Sequence, residues 1–153
     1  MRKIFYLLLI SILMSSCSEK TKTNSKTPEK ELMSTMQVND DRISLELNPM
    51  QKRHQLENMR SHLKAVQVIT NLIANEDFDK ASKLAYSELG STTEMRLMCA
   101  SFGNKNFENL GVAFHASADS LSTILKTKNQ KKSLKALSKT LNYCVQCHAT
   151  YRQ

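Results

Sequence analysis

Apolar side chains recur along most of this chain at the three- and four-residue intervals of a helix. Leu56, Met59, Leu63, Val66, Thr70 and Ile73 make one such stripe. The run that carries it opens at Asn48-Pro49, proline being favoured in a first turn, and extends to about Asn75. Asp77-Phe78-Asp79 starts a second helix through Leu89, which Gly90 is placed to end. Ser91 or Thr92, followed by Glu94, supplies a cap for its continuation from Met95 to Phe102. After Gly103-Asn104 a third helix carries Phe107, Leu110, Phe114, Leu121 and Leu125 on one stripe. A fourth begins near Asn129. With three Gly, two Pro and no Trp in 153 residues, the class expected is all-α, an antiparallel four-helix bundle over residues 46–153.

The fourth helix has the sharpest seam: Leu134, Leu137, Leu141, Cys144, His148 and Tyr151, at intervals of 3, 4, 3, 4 and 3. Two thiols three apart with a His directly after the second are the attachment signature of c-type haem. On a helix, Cys144 and Cys147 are nearly one turn apart and reach the two vinyl groups on one porphyrin edge. His148 stands one turn beyond Cys144, where a ring nitrogen serves as proximal iron ligand. A zinc ribbon needs a second Cys pair, and only Cys17 and Cys99 remain. A thioredoxin-type pair opens a helix after a strand, whereas this one closes a helical pattern. The seam also requires the haem to be held inside the bundle. Lys128, Lys132, Lys135 and Lys139 fall on roughly the opposite face and read as a solvated surface.

The other end of the chain is a targeting segment. Arg2 and Lys3 precede an apolar run from Ile4 to Met14, too short for a bilayer span of about 20 residues. Leu13-Met14-Ser15-Ser16-Cys17 resembles the lipobox of bacterial lipoproteins. That resemblance implies a signal peptide over residues 1–16 and an acylated Cys17 that anchors the protein to membrane lipid. The expected location is a bacterial membrane, the outer membrane for preference, facing the periplasm; covalent haem attachment likewise takes place beyond the inner membrane. Residues 17–45 are rich in Lys, Thr, Ser, Glu and Asn, too polar for a core. They read as a flexible tether reaching on the order of 30 Å, with order setting in between Arg42 and Leu47. Lipid and haem account for three of the four Cys, leaving Cys99 as a buried packing residue.

The C-terminal Cys-x-x-Cys-His-x-x-Tyr-Arg, Cys144 to Arg152, together with the helical layout over 46–153, resembles the cytochromes c′ and their low-spin relatives. The resemblance implies one covalent haem c, with His148 as proximal ligand and Arg152 near the proximal haem face. It also implies a distal residue about twenty positions before the Phe-Asp that starts the second helix, which is Met59, and homodimers through the first two helices. Arg53-His54-Gln55 stands where the family often has an adjacent Arg-Gln pair. Met59 lies centrally in its own stripe and faces the interior in any case. His62 and His115, on the flanks of their stripes, are rival ligands. Gly111 shares the His115 side and invites a close approach, of a porphyrin edge or of another helix.

The function expected is therefore one-electron transfer between redox partner proteins through a His148–Met59 haem. The alternative is a five-coordinate cytochrome c′ that binds nitric oxide or carbon monoxide. No distal acid–base pair marks an enzyme. Removing Arg2 and Lys3 with the leader leaves 20 basic against 14 acidic side chains, a net +6, which steers a carrier toward acidic partners. Basic–aromatic interleaving of the kind that binds nucleic acid is missing.

Overall fold

The structure, a computed structural model, describes residues 40–153; the leader, Cys17 and the tether as far as residue 39 lie outside them. In chain order the elements are β1 (Ile43–Ser44), α1 (Pro49–Ala74), α2 (Phe78–Leu89), α3 (Thr93–Ala100), α4 (Lys105–Leu125), α5 (Gln130–Thr150) and β2 (Tyr151–Arg152). Four long helices and one short one make the fold all-α apart from a two-residue parallel bridge that pairs Ile43 with Tyr151 and Ser44 with Arg152. Among the described residues no helix is long and apolar enough to cross a membrane.

Four of the five described helices start where a short polar side chain takes up unpaired amides, a contribution of about 1 kcal/mol per cap; α2, which follows Asp77, has no side-chain cap. Asn48 accepts from the amides of Met50 and Gln51, and the Gln51 side chain returns to the Asn48 amide. Thr92 caps α3, Asn104 caps α4 and Asn129 caps α5 in the same way. Gly90 ends α2 in extended rather than left-handed backbone (φ −75°). Crowding is what requires glycine there: a Cβ would collide with the Tyr86 carbonyl and lie 2.7 Å from Asp119 Oδ1, the atom that accepts from the Ser91 amide.

The main core joins the C-terminal half of α1 (Ala65, Ile69, Ile73) to Phe78, Ala81, Ala85 and Leu89 of α2. Phe114, Ala118, Leu121 and Leu125 of α4 and Leu137 of α5 complete it. Alanines on α2 let its neighbours close in. Ser82 and Ser122 pin α2 to α4 by donating to each other's carbonyls at 2.8 and 2.9 Å. Ser117 donates to Thr140 across α4 and α5. A second, smaller cluster of Phe102, Phe107 and Tyr151 meets edge to face at 5.2 Å centroid spacing.

Two stripes differ from the periodicity. On α1 the buried positions are Gln55, His62, Ala65, Ile69 and Ile73, whereas Leu56 and Leu63 are 40% and 72% exposed. On α5 they are Ser133, Leu137 and Thr140, with Leu134 46% exposed. The cause is that α1 meets two surroundings, a closed core over its C-terminal half and an open cavity over the other. The compact unit also starts at Asp40, ahead of residue 46, because β1 is fastened to the end of the chain. Helix α3 runs Thr93–Ala100, so Phe102 follows it in the loop and packs in the second cluster.

Candidate functional site

Beyond His62 and Phe114 the core gives way to space. Helices α1 and α5 touch sparingly, and between them, with α3 and α4 as further walls, lies a cavity of about 410 Å³. That falls within the range of small-molecule and cofactor sites, roughly 300–1,000 Å³. Its lining is almost wholly apolar, and it includes Met59, His62, His115, Cys144, Cys147 and His148. Every residue named from the sequence as a thioether anchor, an iron ligand or a rival ligand thus lies on one wall or another.

Helix α5 places the Cys-x-x-Cys-His run. Cys144 packs against the main core and Cys147 against the Phe102–Phe107–Tyr151 cluster, so the thiols sit on the line where the two clusters meet. Both are half-buried and unbridged. Burial raises both thiol pKa values, Cys147 to about 11 with Cys144 and Cys99 adding to the effect. His148 is exposed and lines the cavity. Met59, half-buried on α1, faces the same space. Arg152 is outside the lining; it sits on β2, where Nε donates to the Arg42 carbonyl at 3.2 Å and lies 3.9 Å from Asp40 Oδ2.

The sequence treats His62 and His115 as separate flank residues, and the fold brings them together. Both are buried, with ring centroids 5.8 Å apart, edge to face. His115 Nδ1 donates to the Leu89 carbonyl at 2.7 Å, which leaves its Nε2 as the lone-pair nitrogen. His62 Nε2 is buried with no hydrogen-bond partner. Burial, and secondarily the charge of His115, lowers the His62 pKa to about 4; burial lowers that of His115 as well. Cys99 is buried, as expected. Of the two approaches open to Gly111, the helix–helix one is present: a Cβ there would lie 2.9 Å from Cys99 Sγ. Met98, Phe102 and Tyr143 also line the cavity; no local pattern distinguishes them from ordinary packing residues.

Three features of the chain fit a haem. The thiols are free and sit at the spacing the porphyrin edge requires. Leu56 and Leu63 present exposed apolar surface at the cavity rim, which a flat apolar group would cover. The unpaired Nε2 of His62 is a buried polar atom, costing about 1–3 kcal/mol, that a bound group could satisfy. Among the described residues no three His, Cys, Asp or Glu side chains converge as a metal-ion site. A porphyrin, by contrast, supplies the equatorial donors and asks the protein only for axial ones. No protein-family model, curated protein or solved structure matches this chain.

Proposed function

We propose that this protein is an exported, lipid-anchored c-type cytochrome, an antiparallel four-helix bundle that carries single electrons between redox partners. The observation that carries the reading is the meeting of Cys144, Cys147 and His148 on one helix with Met59 on another around a single apolar cavity. When bound, haem c supplies a one-electron iron couple. Cys144 and Cys147 would hold its edge as thioethers, and His148 would be the proximal donor. Met59 would offer a soft thioether from α1, which favours the reduced iron and occupies the position a gas would need. The apolar walls would limit the access of water to the group and so help to set its potential. Acylated Cys17 would keep the domain at a membrane, several acyl chains contributing about 0.8 kcal/mol per buried CH₂. Asp40 sits beside Arg42 and Arg152, at the same end of the domain as the motif.

The test is acid–acetone extraction of the mature protein, followed by optical spectra in both oxidation states. The reading expects haem that stays with the polypeptide and a low-spin spectrum with a Met–iron charge-transfer band. Extractable haem, or none, overturns it. Covalent but high-spin haem that takes up carbon monoxide points to the gas-binding function instead.

A further inference from the structure

The last turn of the motif helix is held from outside the bundle by residues 40–45. Arg42 spreads its guanidinium over two partners: Nε and Nη2 donate to the two Asp40 carboxylate oxygens, both at 2.8 Å, and Nη1 donates to the His148 carbonyl at 3.1 Å. That carbonyl belongs to the end of a helix, where no intrahelical donor follows. The Arg42 carbonyl in turn accepts from Arg152 Nε, and the Leu45 amide donates to the Arg152 carbonyl at 3.0 Å. A planar fork with donors fixed in one plane grips both carboxylate oxygens while a further donor reaches the carbonyl, a fixed geometry that a freely rotating lysine ammonium does not impose.

We infer that Arg42 is a positioning residue for His148: oriented by Asp40, it fixes the final turn of α5 and thereby the direction in which the imidazole is presented. This rests on His148 being the proximal iron ligand, and it adds a residue that the attachment motif does not contain. The Asp40 carboxyl, its pKa lowered to about 2 chiefly by its bonds to Arg42, carries its charge at any physiological pH.

The experiment compares wild type with Arg42→Gln in the full chain, by amide hydrogen exchange and by ferric electron paramagnetic resonance. Exchange at Tyr151, bonded to the Cys147 carbonyl, and at Leu45 should be about tenfold faster in the variant, the size expected for one charge-assisted bond. Exchange at Ile69 and Leu121 in the core should be unchanged. The ferric signal should split into several imidazole orientations, with haem content unaltered. Unchanged exchange at Tyr151 and Leu45 overturns the inference, as does faster exchange throughout the core, which makes Arg42 merely a stabiliser. Faster local exchange with a single unaltered ferric signal overturns it too. If wild type holds no covalent haem, the electron-carrier reading fails and the ligand role with it. The exchange data still decide whether Arg42 fixes the turn.

Discussion

His62 and His115 meet edge to face, 5.8 Å between centroids, at the boundary where the closed core becomes the cavity. Their setting makes the fold acid-sensitive. A histidine whose pKa is lowered on folding contributes nothing above its unfolded value of 6.5. As pH falls below 6.5 the unfolded chain takes up the proton first, so stability is lost progressively down to the folded value of about 4. The loss is on the order of 3 kcal/mol at pH 4. Urea unfolding at pH 7 and pH 4 should show it, and His62→Leu should remove most of the difference. An equal pH dependence in the variant would assign the effect to other groups.

Gly111 and Cys99 form a tight pair between α4 and α3. Gly111→Ala should destabilise by about 1–3 kcal/mol, because the new Cβ would lie 2.9 Å from Cys99 Sγ. In a Cys99→Ala background the clash is gone, and the same substitution should become stabilising by up to about 1 kcal/mol through helix propensity. Thermal unfolding of the four proteins in this cycle checks the coupling; additive effects would show that the contact relaxes freely.

The helix starts were legible because capping is local: Asn48, Asn104 and Asn129 sit immediately before the runs they cap. That Cys144, Cys147 and His148 share one helix was legible for the same reason, since the three stand at fixed offsets in one run. Burial on α1 was not, since Leu56 and Leu63 have the right period but lie along open space, while Gln55 and His62 are enclosed. Nor was the Arg42 clamp. It joins residues 106 apart in sequence through a backbone carbonyl, and no residue pattern announces such an acceptor. His62 and His115 each look like an edge position, and only the fold, which brings their rings together from α1 and α4, makes them a pair.

The N-terminal expectation is tested in cells. Cys17→Ala should leave the helical domain folded, because the compact unit runs from Asp40 to Gln153, but should release it from the membrane fraction. Retention in washed membranes would reject lipid anchoring. Far-ultraviolet circular dichroism of the released protein checks that the domain survives.

Met59 separates the two proposed functions. Replacing it with Leu keeps the volume and apolar character of a half-buried cavity residue, so the bundle should lose less than about 1.5 kcal/mol. The change falls on the iron instead. If Met59 is the second ligand, Met59→Leu should convert a low-spin haem to high-spin, lower its reduction potential and open it to carbon monoxide. If the haem is five-coordinate, wild type already binds carbon monoxide and the substitution alters little. A wild-type haem that is low-spin and stays low-spin in Met59→Leu would exclude both. The ligand would then be sought at His62, buried with an unpaired Nε2, and at His115, whose Nδ1 bond to the Leu89 carbonyl leaves Nε2 as the lone-pair nitrogen.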